Sequence, residues 1–162
     1  MRLGILSDSH DHADRVTTAI RLFVDLNVDG VIHCGDVGGM ESFDAMVGCN
    51  LWFVWGNTDV PDAALGAYLE TVGLRIPPAP PLSLTIERRL IQVFHGHEPG
   101  FQKALRAQEA DYILHGHTHV ARDERLGRTR VINPGALHRA PRYTVATLDL
   151  PDDRVTFHRL GG

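Results

Sequence analysis

Residues 2–10 of the chain are RLGILSDSH, a short apolar run that stops at serine, aspartate and histidine. The run predicts a buried β-strand over Arg2–Ser7. The segment Asp11–Leu26 places its apolar residues on one helical face, with its first residue as the expected N-cap. A strand followed directly by a helix begins a βαβ unit, whose ligands lie beyond the carboxyl ends of the strands. Asp8 and His10 therefore stand where a binding site is expected.

The same arrangement occurs twice more in the first half of the chain. The elements predicted there are strands Val31–Cys34 and Leu51–Trp55 and helices Met40–Met46 and Ala63–Val72. Gly35-Asp36 follows the first of these strands and Gly56-Asn57 the second. A glycine at a strand end permits a sharp turn and a close approach to an ion. Ordinary turn chemistry would explain Asp36 or Asn57 alone, but not three consecutive oxygen ligands on one rim of a sheet.

The second half of the chain is rich in strands. A stretch with four prolines, residues 77–81, predicts a stiff connection between the halves. The elements predicted after it are strands Leu82–Ile86, Leu90–Phe94, Tyr112–Leu114, Val131–Ile132, Tyr143–Leu150 and Val155–Leu160 and a helix over Pro99–Gln108. No flexible linker separates the halves, so we expect a single α/β domain over residues 1–162, with two facing β-sheets flanked by helices.

Composition limits the classes of partner. The formal net charge of −4 provides no broad cationic surface, which argues against a long nucleic acid. It does not exclude a small phosphorylated partner, because a metal site can be locally positive on an acidic protein. Cys34 and Cys49 are the only cysteines and form no CxxC motif, which favours a reduced, cytoplasmic protein. The first apolar run is too short for a signal peptide or a membrane span. The oligomeric state stays open, a homo-oligomer included.

Histidines cluster at two further predicted strand ends. His95 and His97 lie in the run FHGH, and His117 and His119 lie in GHTH. Imidazole is the commonest metal ligand near neutral pH. A lone histidine near a core is more often structural, and that interpretation is kept for His33, His115 and His158. For the clusters next to glycine, metal binding is the favoured interpretation. Asp8-x-His10 alone would also fit a helix cap followed by a surface histidine.

Taken together, these blocks resemble the calcineurin-like metallophosphoesterase superfamily. The blocks are Asp8-x-His10, Gly35-Asp36, Gly56-Asn57, His95-Gly96 and Gly116-His117-x-His119, and they fall in the family's order over nearly the whole chain. The run Gly56-Asn57-Thr58-Asp59, the His95-Gly96-His97 run and Asn133-Pro134-Gly135 resemble the compact bacterial and archaeal phosphodiesterase branch. The retromer scaffold subunit of eukaryotes shares that fold, in which two facing mixed β-sheets are flanked by helices.

The resemblance implies a phosphodiesterase that uses two divalent metal ions to activate a bridging water molecule. It implies that Asp8, His10 and His119 hold one ion, that Asn57, His95 and His117 hold the other, and that Asp36 bridges them. Ligands without thiolate suit Mn²⁺, which we favour, or Fe, Ni²⁺, Zn²⁺ or Mg²⁺. Two divalent ions against two carboxylates leave a formal charge of about +2, which would attract a small phosphate ester.

The chain departs from the wider family at the residue after Asn57. Many relatives place a histidine there, thought to protonate the leaving group, but this chain has Thr58. His97 is the preferred substitute, with Asp59 and His12 as alternatives. Proton donation contributes about 10² to 10⁴ in rate, so its loss would favour esters with good leaving groups. Arg139 and Arg142 either hold a substrate phosphate or lie on the surface.

Two other functions fit the same sequence. The first is a phosphomonoesterase or a nuclease that uses the same site. The second is a metal-binding scaffold of low activity, which predicts eroded ligands. All seven ligand positions are filled here, so catalysis is the favoured interpretation.

Overall fold

The computed structural model describes residues 1–161, which form ten strands and four helices. The helices are α1 (Ala13–Asp25), α2 (Met40–Asp44), α3 (Ala63–Thr71) and α4 (Pro99–Ala107). The strands are β1 (Arg2–Leu6), β2 (Gly30–His33), β3 (Leu51–Phe53), β4 (Leu82–Ile86), β5 (Arg89–Val93), β6 (Tyr112–Leu114), β7 (Arg122–Leu126), β8 (Thr129–Asn133), β9 (Thr144–Asp149) and β10 (Arg154–Arg159).

The strands form two mixed five-stranded sheets, as the sequence predicted. The first sheet has the order β10-β9-β1-β2-β3, in which β1, β2 and β3 run parallel. The second has the order β4-β5-β6-β8-β7, with β5, β6 and β8 parallel. Antiparallel strands complete both sheets. The carboxyl ends of the parallel strands therefore form a rim on each sheet.

Apolar residues pack in three layers around these sheets. The central layer joins the two sheets and contains Ile5 and Ile32 from the first sheet and Ile91 and Leu114 from the second. A second cluster fills the space between the first sheet and helices α1 to α3. A third lies beneath α4 on the outer face of the second sheet. The α/β architecture of two facing sheets flanked by helices is thus confirmed.

Two local predictions were wrong. Helix α1 begins at Ala13, and Asp11 does not cap it, because its carboxylate accepts the backbone N–H of Gly39 across the neighbouring loop instead. Strand β7 was not predicted at all, since it is an edge strand whose central residues are all exposed and charged. Such a strand has no alternation of apolar and polar residues to reveal it.

The connection over residues 77–81 runs from α3 to β4 and so joins the first sheet to the second, as predicted. Among residues 1–161, no helix is both long and apolar enough to cross a membrane.

Candidate active site

Loops at the carboxyl ends of five strands bring all seven predicted ligands together. The potential ligand atoms form two groups, and within each group all of the atoms lie within 4.8 Å of one another. The first group consists of Asp8, His10 and His119, and the second of Asp8, Asp36 and His95. Asn57 belongs beside the second group, because its Oδ1 lies 3.1 Å from His95 Nε2.

The backbone of these loops is unusual. Five of the seven predicted ligands have a positive φ: Asp8, His10, Asp36, His117 and His119. Residues other than glycine seldom adopt this left-handed conformation, and such strain concentrates at functional sites. The tight turns lie at the rim, directly after the strands that precede these residues.

Two glycines permit the close contact of these loops. A Cβ atom on Gly56 would collide with the backbone nitrogen and the carboxylate of Asp36. A Cβ atom on Gly116 would collide with Ser7, next to Asp8. These two glycines therefore let neighbouring loops pack closely, while the predicted close approach to an ion stays a prediction.

The carboxylates of Asp8 and Asp36 are buried. Among residues 1–161, neither forms an ion pair with a lysine or an arginine. Asp8 is fully buried, and burial raises the pKa of its carboxyl above the ordinary value. Asp36 is 3% exposed. Burial opposes its charge as well, but hydrogen bonds from His95 and from the backbone of Thr58 hold its pKa below the ordinary value. Buried charges in proteins are usually paired or bind a metal ion.

His95 is oriented with its Nδ1 toward the core and its Nε2 toward the buried carboxylates. Its Nδ1–H donates to the buried carbonyl of Cys34 at 2.8 Å. Its Nε2 then faces Asp36 Oδ2 at 3.3 Å. Burial disfavours the charged ring, yet the hydrogen bonds to Asp36 and Cys34 raise the pKa of His95 above its usual range. A bond of this kind at the far nitrogen is typical of metal-binding histidines.

His10 and His119 have the same orientation, with longer contacts at Nδ1. Nδ1 of His10 lies 3.4 Å from the Thr58 hydroxyl, and Nδ1 of His119 lies 3.4 Å from the Arg139 carbonyl. Their Nε2 atoms face Asp36 at 3.4 Å and Asp8 at 3.1 Å, respectively. Nε2 of His10 is buried and forms no hydrogen bond within the protein.

His117 completes the set. Its backbone N–H donates to Asp8 Oδ2 at 3.1 Å, and its ring centroid lies 5.1 Å from that of His95. The site thus combines carboxylate, amide and imidazole groups, with buried negative charge and an unpartnered nitrogen. This donor set fits divalent ions that prefer oxygen and nitrogen ligands.

A cavity of about 290 Å³ adjoins the site at Thr58. Exposed apolar groups of Met40 and Val60 line it together with the side chains of Asp11 and Asp59. A larger cavity of about 450 Å³ lies at the outer edge of β3 and contains none of the predicted ligands. The smaller cavity is not lined by a predicted ligand either, but it borders the site through Thr58, whose backbone N–H donates to Asp36.

Residues 1–153 match the family model of the calcineurin-like phosphoesterase superfamily domain. The chain belongs to this superfamily. Membership makes it a hydrolase of the metallophosphoesterase class and confirms the resemblance seen in the motifs.

Relatives place this phosphoesterase in the compact prokaryotic branch. The chain is 32% identical over 139 residues to phosphodiesterase MJ0936 of Methanocaldococcus jannaschii, with 83% of each chain covered. It is 32% identical over 175 residues to the probable metallophosphoesterase YsnB of Bacillus subtilis, covering all of this chain and 93% of the relative. Its fold matches the structure of an archaeal phosphodiesterase with a TM-score of 0.88 and 28% identity, over 99% of this chain and all of the other.

The candidates for proton donor in this phosphoesterase differ in their surroundings. His97 is exposed, with its ring 6.2 Å from that of His117. The Asp59 carboxylate instead accepts backbone N–H groups from Gly56 at 2.8 Å and Gly38 at 3.0 Å. It also accepts the N–H of Val37 at 3.2 Å, so it ties together the loops that carry Asp36 and Asn57. The Asp59 carboxylate therefore has a structural role in holding these loops.

Sequence reasoning missed two residues near the site. The Glu98 carboxylate accepts the N–H groups of His95 and Gly96 at 2.7 and 2.6 Å and so shapes the loop that carries His95. His138 packs its ring 4.9 Å from that of His10. The Glu98 contact could have been found from sequence, since Glu98 lies two and three residues from its partners. The residues that His138 contacts are more than 120 positions away in the sequence.

Proposed function

We propose that this protein is a metal-dependent phosphodiesterase that acts on small phosphate esters through two divalent ions. The observation that carries the proposal is the convergence of seven side chains with oxygen or nitrogen ligand atoms, two of them buried carboxylates. In this proposal Asp8, His10 and His119 hold one ion. Asn57, His95 and His117 hold the other, with Asp36 between them. Mn²⁺ is the metal we favour.

The ions would supply Lewis acidity, which lowers the pKa of a water molecule and stabilises charge on the phosphoryl oxygens. The protein's own part is positioning. Cys34 fixes the tautomer of His95, and Asp59 fixes the two loops that carry Asp36 and Asn57. Substrate is thereby held in one orientation for in-line attack at phosphorus, which is where much of the rate gain in such sites originates.

His97 is the proton donor in this proposal. It is exposed at the rim, next to the rings of His95 and His117, where a departing alcohol oxygen can reach it. Thr58 occupies the place of the usual histidine and contributes its backbone N–H to Asp36 at 2.9 Å. Because the usual histidine is absent, we expect His97 to protonate the leaving group less effectively, so esters with good leaving groups should be hydrolysed faster than those with poor ones.

The cavity beside Thr58 supports a small substrate. Its volume of about 290 Å³ suits one ester group, and the residues that line it include no lysine, arginine or histidine. A polynucleotide would need cationic contacts along its backbone. An uncharged alcohol substituent of the phosphate ester would fit this cavity, lined by Asp11, Asp59 and Asp62, better than a second anionic group.

The test is hydrolysis by chelator-treated protein reloaded with Mn²⁺, Ni²⁺, Zn²⁺ or Mg²⁺. An aryl phosphodiester, an aryl phosphomonoester and a single-stranded oligonucleotide should be compared side by side. We expect the diester to be hydrolysed fastest, and only with metal. Preference for the monoester or the oligonucleotide would replace diesterase activity with one of the alternatives, and no hydrolysis with any metal would refute catalysis.

A further inference from the structure

His138 lies in the loop after β8, at the edge of the first ligand group. Its Nδ1 lies 2.8 Å from His12 Nε2, a hydrogen bond between residues 126 positions apart in the chain. Its ring centroid lies 4.9 Å from that of His10 and 4.8 Å from that of His12. The three rings form a continuous row that ends at a predicted metal ligand.

The loop that carries His138 is anchored to the first turn of α1. The Arg15 guanidinium donates to the Leu137 carbonyl at 2.6 Å and lies 4.0 Å from the centroid of the Tyr143 ring. His12 immediately precedes the same helix. The start of α1 therefore holds His138 through its own hydrogen bond with His12 and through the backbone of the preceding residue.

The same loop touches both imidazoles of the first ligand group. His138 packs on the ring of His10, and the carbonyl of Arg139 faces Nδ1 of His119. Neither imidazole has the short hydrogen bond to a core carbonyl that fixes His95. Both are also less buried than His95, with side chains 21% exposed against 0%.

We infer that His138, held by His12, is a positioning residue for His10 and restrains its ring so that Nε2 faces the buried carboxylates. The inference rests on the proposed function, because it assigns His10 to an ion. The physical reason is that a 3.4 Å contact to a threonine hydroxyl restrains a ring weakly. Packing against a second, hydrogen-bonded ring restrains it further, at little entropic cost to the bound state.

The consequence is an asymmetry between the two ions. The ion beside His10 and His119 depends on a loop at the surface, whereas the ion beside His95 depends on a carbonyl in the core. Removing residues that orient metal ligands typically weakens metal binding by about 10 to 100-fold. We expect that loss at the first ion alone.

The experiment is a calorimetric titration of chelator-treated protein with Mn²⁺, resolving both binding events. The event missing in Asn57→Ala is assigned to the second ion. His138→Ala should weaken the first event by about 10 to 100-fold and leave the second within about twofold. His12→Ala should weaken the first event less, and His12→Gln, whose amide can replace Nε2, should restore it.

A matched control is His158→Ala. His158 has a similar partial exposure and a 2.9 Å bond to Thr147, but it lies on β10 away from the site. We expect both binding events to stay unchanged in this variant. Electron paramagnetic resonance provides a second readout, since His138→Ala should lose the coupled two-Mn²⁺ signal at concentrations where the wild type retains it.

Two results would overturn the inference. If His138→Ala leaves both events unchanged, the ring has no positioning role; if both weaken equally, its role is general stability. A wild-type protein that binds no Mn²⁺, Zn²⁺ or Ni²⁺ would instead refute the proposed function, and the inference with it. A wild type that binds two ions with an unaffected His138→Ala variant would refute the inference alone.

Discussion

Replacement of Asp8 by asparagine should affect thermal stability differently with and without metal. It should reduce the rise in Tm that metal causes, but should not lower the Tm of the metal-free protein. Asp8 is fully buried, and burial raises the pKa of its carboxyl. Its oxygens accept the backbone N–H of His117, which an asparagine carbonyl can also accept. Asp8→Asn therefore keeps the hydrogen bond and removes the buried charge.

The expected magnitude follows from linkage. An ion present at 100 times its dissociation constant stabilises the folded state by about 2.7 kcal/mol. For a chain of this size, about 1 kcal/mol shifts Tm by about 2–4 °C, so each ion should raise Tm by about 5–11 °C. Asp8→Asn should lose the increment of the first ion. Without metal, its Tm should equal or exceed that of the wild type.

The pH dependence has a definite sign. Because the folded-state pKa of Asp8 lies above its unfolded value, the protonated group favours folding, and that contribution is lost as the pH rises through the folded-state pKa. Without metal, the stability of Asp8→Asn relative to the wild type should therefore increase as the pH rises from the ordinary aspartate pKa through the raised pKa of Asp8. Above that window the difference should stay constant.

The assay is thermal unfolding of both proteins in chelator and in excess Mn²⁺, over a series of pH values from acid to neutral. Two results would refute the reasoning. The first is a variant destabilised equally with and without metal, which would make Asp8 a structural residue. The second is a variant with the full metal-induced rise in Tm, which would remove Asp8 from the ligand set.

Three further substitutions test the remainder of the site. Asp36→Asn should abolish binding of two ions, so two full equivalents retained in metal analysis would contradict the bridging role of Asp36. Thr58→His should raise turnover on a poor leaving group more than on an activated aryl diester; equal gains in steady-state assays would count against the idea that Thr58 weakens protonation of the leaving group. Gly56→Ala should lower kcat by about 10²-fold, because its Cβ displaces Asp36. Gly66→Ala, in α3 with no atom nearer than 3.8 Å, is its control and should leave kcat unchanged and stability slightly higher.

The site was predictable from sequence because its polar ligands stand directly after apolar strands. Each one follows an apolar strand, and parallel strands place their carboxyl ends on one rim. Asp8, Asp36 and Asn57 could therefore be placed together from the strand pattern, whereas His95, after a strand of the second sheet, joined them only through the family resemblance. The roles of these residues as metal ligands remain predictions, since the structure gives their proximity and burial.

The parts that sequence did not reveal depend on contacts between distant segments. Asp11 is a residue type that often caps helices, but its carboxylate instead accepts the backbone N–H of Gly39, 28 residues away in the sequence. His12 and His138 are 126 residues apart, so no local pattern connects them. Strand β7 is held by pairing with β8 and not by its own side chains. In each case tertiary structure overrides local preference.

The ligands come from the loops of both sheets, and this has a mechanical consequence. The apolar layer between the sheets holds them together along their length, while the rim carries polar side chains from Asp8 and Asp36 on one side and His95 and His119 on the other. Bound ions would act there as cross-links between the two sheets. Removing them should loosen the rim loops first, so amide hydrogen exchange should rise at the strand ends well before it rises in the strands themselves.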